Sequence, residues 1–418
     1  MKRLIHNLTL FFLGLLALFV AASVYFETQV RQTGNFYRQV AWFLDPDITP
    51  VGLLVGDSRM AVNVDPRRLP AGFYNFSYPG ETLRQIYLRV KFALETKPSI
   101  HYLILGLEDV AFSEARARLR DATRQMLFAD LVDLTEIYPS SPRFLLRHAV
   151  LHYAPLVNAN QRRRTWETMV DDAVQLLGGD RSATPPEEFD CGGFNLVKKK
   201  EWPSLSEEER RRKARRAVDR LLGGSVGDPH MQAALHAILD LAGRHGVRVI
   251  GLRNPVSRSY IKAAYAYYRE DPLASIDLEG LYAMLDYETL FADQTGFFYN
   301  LDHLNSRGAR RFTDRLARDL SELVPANASV APHHCRSAMA AAALAWPYND
   351  VVAEWLRRPD CHNLRGECDG LGATSTGLIE SMQRSLDQEP EAAMHEKSRG
   401  IAASGRADPP PFRDPSEG

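Results

Sequence analysis

The sequence is poor in cysteine and has almost no net charge. Its 418 residues include four cysteines, which are too few to build a fold on disulfides. Lys and Arg together number 51 and Asp and Glu number 52, so the formal net charge is -1. This balance gives no general attraction to nucleic acid or to an anionic surface, and we expect no nucleic-acid partner.

Several cofactor-binding motifs are also absent. The sequence has no glycine-rich phosphate loop, no dinucleotide-binding fingerprint and no internal repeat, so we expect no cofactor. Cysteine and histidine cluster near the C-terminus, but their spacing fits no standard zinc module and we expect no metal site. Disulfide pairing among these cysteines is an open alternative in an exported segment. The cluster consists of His333, His334, Cys335, Cys361, His362 and Cys368.

A long apolar segment near the N-terminus predicts a membrane anchor. Residues 8–26 carry no charge, and about 19 residues are enough for a helix to cross a bilayer. Lys2 and Arg3 precede the segment and Glu27 follows it, so the positive-inside bias keeps the N-terminus in the cytoplasm. We therefore expect a single-pass protein of the cytoplasmic (inner) membrane with a periplasmic or otherwise extracytoplasmic main domain. Cleavage as a signal peptide near residues 21–23 is the alternative.

Apolar runs alternate with amphipathic stretches between residues 51 and 323. Short runs rich in aliphatic and aromatic residues predict strands, and apolar residues at helical spacing predict helices between them. The predicted strands are 51–56, 72–77, 101–107, 247–252 and, from a weaker pattern, 281–287; the predicted helices are 81–95, 206–222, 231–245 and 305–323. This alternation predicts an α/β fold of three layers, with helices on both faces of a mostly parallel central sheet.

Changes in composition divide the chain into four parts. We assign residues 1–27 to the anchor, 28–48 to a stalk, 49–325 to the α/β domain with a helical insertion at about 112–228, and 326–418 to a low-order tail. The tail is rich in Ala, Arg, Gly and Pro and ends in a polar stretch, which is typical of disorder. Residues 181–204 are punctuated by Pro, Gly and Lys runs and predict a surface loop.

Two segments place the residues of a serine nucleophile mechanism in loops. The first predicted strand ends at Gly56-Asp57-Ser58, and the carboxyl ends of strands form the edge where open α/β sheets bind ligands. A nucleophilic serine needs a base, a group that orients the base, and donors for the developing oxyanion. His303, just before the last predicted helix, is the candidate base, and Asn300 and Asp302 are close enough in sequence to orient it. The alternative is that His303 and Asn305 only cap that helix.

Together these segments resemble the SGNH/GDSL hydrolase superfamily. Gly56-Asp57-Ser58 lies near the start of the domain and Asp302-His303-Leu304-Asn305 near its end, in the order of that superfamily's sequence blocks. The match is closest to the membrane-anchored branch that includes proteins of alginate and teichoic-acid acylation. The resemblance implies that Ser58 is the nucleophile and His303 the base. It also implies that the backbone N–H groups of Ser58 and Gly80 are the oxyanion donors, because residues 75–80 resemble the second block.

Two positions depart from the superfamily pattern. Its third block has an Asn that donates to the oxyanion, but this chain has Glu108 there, and an ionised carboxylate only accepts hydrogen bonds. Its orienting Asp lies three residues before the base, but this chain has Asn300 there. Asp302 is the only acid nearby, and on an extended segment its side chain would point away from that of His303. Which of Asn300 and Asp302 orients the base therefore stays open.

The resemblance implies an enzyme of the cell envelope. We expect a serine esterase or O-acyltransferase that acts on acyl esters, specifically acetyl esters, of a cell-surface or exported polysaccharide. Its partners would be the inner membrane, the acylated glycan and other envelope acylation proteins. The sequence is compatible both with hydrolysis of the ester and with transfer of the acyl group to a sugar hydroxyl. The two departures favour an alternative, a non-catalytic scaffold or glycan-binding component of a polysaccharide export or modification complex. Further candidates for the site are Asp57 and Arg59, which flank Ser58, and Glu108 and Asp109, which follow the predicted strand 101–107.

Overall fold

The computed structural model describes most of the first 324 residues. The described residues are 2–26, 30, 34–69, 72–119, 121–138, 141–176, 193–194, 202–222, 227–268 and 271–324. The predicted tail at 326–418, all four cysteines and most of the predicted loop at 181–204 lie outside them.

In the part of the chain that the structure describes, five strands form one parallel sheet. They are β1 (Gly52–Val55), β2 (Phe73–Asn75), β3 (Tyr102–Gly106), β4 (Arg248–Arg253) and β5 (Ala283–Asp286). The strands lie in the order β2-β1-β3-β4-β5, and every neighbouring pair is parallel. Each coincides with a predicted strand, and the predicted α/β class with a parallel sheet is confirmed.

Helices occupy most of the remaining described residues. The first four are α1 (Lys2–Tyr25), α2 (Asn35–Leu44), α3 (Ser58–Asn63) and α4 (Leu83–Thr96). The predicted insertion contains α5 (Glu114–Ala117), α6 (Leu131–Ile137), α7 (Pro142–Tyr153), α8 (Ala159–Leu176) and α9 (Glu207–Leu222). The last three are α10 (Pro229–Arg244), α11 (Arg258–Tyr268) and α12 (Ser306–Leu323).

α12 covers one face of the sheet. Leu54, Ile104 and Ile250, from three neighbouring strands, pack in one cluster with Phe312 and Leu316 of α12. The buried residues of α12 recur at helical spacing, which turns a single apolar side toward the sheet. Full burial of each such side chain stabilises the fold by about 1.5–3 kcal/mol, so this cluster fixes α12 and the loop before it.

α4 and α10 pack together, away from α12. Side chains alternate along a strand, so Leu53 and Leu103, which are paired in register, point to the face opposite α12. α10 contacts both α4 and β4. α4 begins at a capping box in which Thr82 Oγ1 accepts from Gln85 N and Gln85 Oε1 accepts from Thr82 N. This cap fixes the chain two residues after Gly80.

α1 is the predicted N-terminal apolar helix. It spans 24 residues with a mean hydropathy of 2.3 over its most apolar window, and none of its residues is buried. It is long and apolar enough to cross a membrane.

Two stretches differ from their predictions. α2 does not form part of a free stalk, because Gln39 Nε2 donates to the backbone oxygens of Asn75 and Ser77, both at 2.9 Å. Phe36, Val40 and Trp42 of α2 are buried and pack into the domain. Trp202, at the end of the predicted surface loop, is buried in the cluster beneath α12.

Candidate active site

The sheet has a switch point between β1 and β3. From β1 the strand order runs outward to β2, and from β3 it runs outward in the other direction to β4 and β5. In open α/β sheets this reversal leaves a crevice at the carboxyl ends of the two strands, and ligands bind there. Ser58 follows β1, and Glu108 and Asp109 follow β3, so the structure places these residues at the crevice.

Ser58 and His303 meet although 245 positions separate them in the sequence. Ser58 Oγ lies 2.7 Å from His303 Nε2. Ser58 is half-buried rather than enclosed. This separation is short enough for the imidazole to accept the hydroxyl proton as a general base.

Both candidate orienting residues reach the other ring nitrogen. His303 Nδ1 lies 2.8 Å from Asp302 Oδ1 and 3.1 Å from Asn300 Oδ1. A carboxylate oxygen and an amide oxygen only accept hydrogen bonds, so Nδ1 carries the proton and Nε2 is left to accept from Ser58. The prediction that the Asp302 side chain points away from His303 is wrong.

A turn explains this arrangement. Asn300 Oδ1 accepts from the backbone N–H groups of Asp302 at 3.0 Å and His303 at 2.8 Å. An Asn side chain that bonds its own backbone two residues on bends the chain, so the alternation of an extended segment does not apply. Asn300 thus shapes the turn, while Asp302 supplies the shorter contact and the charge.

Charge sets the protonation of the His303–Asp302 pair. Burial alone would raise the pKa of the Asp302 carboxyl, but His303 and Arg59 outweigh burial and hold that pKa well below its ordinary value. Burial alone would lower the pKa of the His303 imidazole, but the Asp302 carboxylate outweighs it and raises that pKa above 6.5. Asp302 is therefore a carboxylate at neutral pH, and His303 is a stronger base than a free histidine.

The helix after this turn is capped by Asn305. Asn305 Oδ1 accepts from the backbone N–H groups of Arg307 at 3.1 Å and Gly308 at 3.0 Å. Both ring nitrogens of His303 point elsewhere, so the alternative that His303 only caps α12 is wrong.

Arg59, which follows the candidate nucleophile, joins the site to a buried network of charges. Its Nη2 and Nε donate to Asp302 Oδ2 at 3.1 and 3.3 Å, and its Nη1 lies 3.6 Å from Asp109 Oδ1. Tyr260 Oη accepts from Arg59 Nη2 at 3.2 Å and lies 2.9 Å from each Asp109 oxygen. All four side chains are buried. Since an unpaired buried charge is costly, Arg59 compensates both carboxylates.

Glu108 is buried at the carboxyl end of β3. Its Oε1 accepts from Asn254 Nδ2 at 2.6 Å, and Asn254 Oδ1 in turn accepts from Asn63 Nδ2 at 3.2 Å. Burial, followed by the repulsion of Asp57, raises the pKa of the Glu108 carboxyl to about 7. A substantial fraction of Glu108 is therefore protonated at neutral pH, and a protonated carboxyl has a hydrogen to donate, unlike the ionised group considered from the sequence alone.

Gly80 lies in the loop that faces the Ser58 turn. Arg116 Nη1 donates to the backbone oxygen of Gly80 at 2.9 Å, and Arg116 Nη2 donates to Asp57 Oδ2 at 3.0 Å. One guanidinium thus holds the two loops together. Gly80 has a φ of 82°, which favours glycine, and it is exposed. Asp57 Oδ1 meanwhile accepts from Arg59 N at 2.9 Å and caps α3.

No model of a known protein family matches this chain, and the search of curated proteins finds no significant match. Geometry and chemistry therefore carry the functional argument. Among the described residues, no group of three or more His, Cys, Asp or Glu side chains is arranged to hold a metal ion.

Sequence reasoning missed four residues that organise the site: Asn63, Arg116, Asn254 and Tyr260. Arg116, Asn254 and Tyr260 contact candidate residues from distant parts of the chain. Asn63, at the far end of α3, acts through Asn254 and also accepts from Leu304 N. Asn254 had one available signal, since it lies two residues after the predicted strand 247–252, at the edge of the sheet where ligands bind.

Proposed function

We propose that this protein is an envelope-facing serine esterase or O-acyltransferase with an SGNH-hydrolase-like domain. Its substrates are acyl esters, specifically acetyl esters, of a cell-surface or exported polysaccharide. The observation that carries the proposal is the continuous contact from Ser58 Oγ to His303 Nε2 at 2.7 Å and from His303 Nδ1 to Asp302 Oδ1 at 2.8 Å. Nucleophile, base and orienting carboxylate stand in the order that acyl transfer requires.

The first half of the reaction forms an acyl-serine. Ser58 Oγ attacks the carbonyl carbon of the ester while His303 Nε2 accepts the hydroxyl proton. The backbone N–H groups of Ser58 and Gly80 stabilise the oxyanion of the tetrahedral intermediate. The intermediate collapses when the carbon–oxygen bond to the sugar breaks, and the imidazolium returns its proton to the departing sugar oxygen.

The second half releases the acyl group. Water or a hydroxyl of an acceptor sugar attacks the acyl-serine carbonyl and gives its proton to His303. Breaking the bond to Ser58 Oγ then regenerates the serine, which takes the proton back. Asp302 stabilises the imidazolium in both halves without itself becoming protonated. Hydrolysis and transfer differ only in the attacking group.

We further propose that α1 crosses the cytoplasmic membrane with the N-terminus inside and the domain outside. Lys2 and Arg3 at the start of α1 and the uncharged stretch after them support this orientation. The active site would then face exported glycans and other envelope acylation proteins.

Turnover of a chromogenic acetyl ester tests the proposal. Full-length protein in detergent should hydrolyse the ester, and Ser58→Ala should reduce the rate to the uncatalysed background. Ser321→Ala, an exposed serine on α12, is the matched control and should keep the wild-type rate. Equal turnover by wild type and Ser58→Ala would contradict the enzyme and favour a non-catalytic scaffold or glycan-binding role. Adding an acceptor glycan distinguishes the two reactions, because transfer predicts acetyl groups on the glycan in place of free acetate.

A further inference from the structure

Exposed large hydrophobic side chains are concentrated in the helical insertion. Outside α1, all but one of those in the described part of the chain lie between residues 119 and 174; the exception is Tyr282. Soluble surfaces seldom gather apolar side chains in this way unless they contact a partner or a membrane. Those in the insertion are Leu119, Val132, Leu146, Trp166, Met169, Val170 and Val174.

Four of these residues form one stripe on α8. Trp166, Met169, Val170 and Val174 follow the spacing i, i+3, i+4 and i+8, which places them on the same side of a helix. Trp166 is 67% exposed, and the other three are each about 40% exposed (39%, 41% and 41%). We call these four residues the Trp166 stripe. An amphipathic helix whose apolar side faces outward suits the interface of a lipid bilayer.

α8 is joined to the end of the apolar helix α1. Tyr25, the last residue of α1, donates from Oη to Asp172 Oδ2 of α8 at 2.5 Å. α1 also contacts the short turn Pro155–Val157 that precedes α8. If α1 crosses the membrane, its carboxyl end lies at the outer headgroup level. The hydrogen bond then holds α8 at that level.

Basic residues precede the stripe on the same side of α8. Arg163 lies about one turn before Trp166 and pairs at 3.7 Å with Glu167 in an exposed contact. Arg162, beside it, donates from Nη1 to the backbone oxygens of Leu156 at 3.2 Å and Val157 at 2.8 Å, so it holds the start of α8 to the turn that contacts α1. An exposed guanidinium at the edge of an apolar stripe, such as that of Arg163, is placed to meet lipid phosphates while its stem covers apolar surface. Trp is itself enriched at this depth because its ring is apolar and its N–H is polar.

We propose that α8 lies on the outer surface of the membrane that α1 crosses, with the Trp166 stripe in the boundary between headgroups and acyl chains. The occupant of the stripe is the phospholipid bilayer. This rests on the proposed membrane insertion of α1 and is independent of the proposed chemistry at Ser58. The protein thus has two membrane contacts, and the second restricts rotation of the domain about its anchor.

Quenching of Trp166 by brominated lipid tests the proposal. Full-length protein is reconstituted in vesicles of zwitterionic and anionic phospholipid, with or without lipids brominated near the headgroup end of their acyl chains. The chain has five tryptophans, so the emission of Trp166 is obtained as wild type minus Trp166→Phe. Most of this difference emission should be lost in the brominated vesicles. Of the other tryptophans, Trp42 and Trp202 are buried in the domain.

A matched control moves the indole to a different exposed site. Tyr282 is 47% exposed and lies outside the insertion, so Trp166→Phe/Tyr282→Trp should add emission that brominated lipid does not quench. Quenching at position 166 but not at 282 supports the proposal. Unquenched Trp166 in protein that floats with the vesicles overturns it and shows that the stripe faces something other than lipid.

Two further outcomes distinguish the proposed membrane contacts from the proposed enzymatic function. Protein that does not float with the vesicles overturns both the α1 anchor and the α8 contact. Quenched Trp166 in protein without Ser58-dependent ester turnover supports the membrane contact and contradicts only the proposed enzymatic function.

Discussion

The guanidinium of Arg59 lies 3.1 Å from the carboxylate of Asp302 (Nη2 to Oδ2), so the residue after the candidate nucleophile holds the acid that contacts the candidate base. The first and last loops of the domain are thereby fixed to each other twice, once through Ser58 and His303 and once through Arg59 and Asp302. The second contact is buried and charged. The geometry of the Ser58–His303 contact therefore depends on the Arg59–Asp302 contact in the interior of the domain.

Replacing Arg59 should destabilise the domain. Arg59→Met leaves Asp302 and Asp109 buried without their cation, and breaking a buried ion pair in this way costs about 3–5 kcal/mol. The free energy of unfolding from urea titration measures the loss. Arg68→Met is the matched control, because Arg68 pairs with Asp314 at the surface and exposed pairs contribute about 0–1 kcal/mol. Equal effects of the two substitutions would show that the Arg59 network does not stabilise the fold.

Asp302→Asn should reduce kcat far more than Asn300→Ala. Without the carboxylate the imidazolium loses its charge partner, and such a loss costs up to roughly 10⁴-fold in kcat. Asn300 holds the turn through two backbone hydrogen bonds, so its loss should act mainly on stability, by about 1–3 kcal/mol. Steady-state kinetics and urea unfolding of both variants separate the roles. The reverse ranking in kcat would make Asn300 the orienting residue.

The acid limb of the pH–activity profile should follow His303. The imidazole must be neutral to accept the Ser58 proton, and Asp302 raises its pKa above 6.5. Activity should therefore fall as the pH drops through this raised pKa. In Asp302→Asn the limb should move to lower pH, because the anion that raises the pKa is gone while burial still lowers it. An acid limb at the same pH in both proteins would assign it to a different group.

Glu108→Gln should change how stability depends on pH. The pKa of Glu108 is raised from 4.5 to about 7 in the folded protein, so the folded state binds more protons than the unfolded state between these values. The contribution of Glu108 to stability is therefore fully present below pH 4.5 and is lost as the pH rises through 7. At about 1.4 kcal/mol per pKa unit the loss is on the order of 3 kcal/mol. Gln keeps the acceptor for Asn254 but does not titrate. The free energy of unfolding of the variant should therefore rise relative to that of wild type as the pH increases from 4.5 to about 7. Parallel stability curves for the two proteins would contradict the raised pKa.

Arg116→Gln should lower kcat with little change in KM. Arg116 bonds the backbone oxygen of Gly80 and the carboxylate of Asp57, so it positions the proposed oxyanion loop beside Ser58. Loss of a positioning contact should cost less than the roughly 10²–10³-fold lost with an oxyanion donor itself. Arg118→Gln, two residues further along at the end of α5 and paired with Glu114 at the surface, is the control and should behave as wild type. An equal loss in both variants would point to a general effect of charge.

β1 to β4 were predictable because each is a short run of residues that the sheet buries almost throughout. β1 and β3 are buried throughout; Gly56 directly follows β1, and Gly106 is the last residue of β3. β5, at the edge of the sheet, gave a weaker signal because three of its residues are only half-buried and Asp286 is exposed. α2 lies in the stretch predicted as a stalk, and its docking on the domain depends on hydrogen bonds from Gln39 to the backbone of residues 75 and 77, which no local pattern encodes.

The candidate site was predictable only in part. Ser58 and His303 were found because each lies at the edge of an element with a recognisable pattern. The role of Asp302 was not predictable, because the direction of its side chain depends on the hydrogen bonds that Asn300 accepts from the backbone. Tyr260 and Asn254 come from segments with no motif, and only folding brings them to the loops after β1 and β3.

The most direct test of the account is covalent labelling of Ser58. A serine-directed fluorophosphonate should react with full-length protein, and mass spectrometry should place the adduct on the peptide that contains Ser58. His303→Ala should label far more slowly, because the hydroxyl loses its base. A protein that remains unlabelled, or one labelled equally fast after Ser58→Ala, would contradict the assignment of Ser58 as the nucleophile.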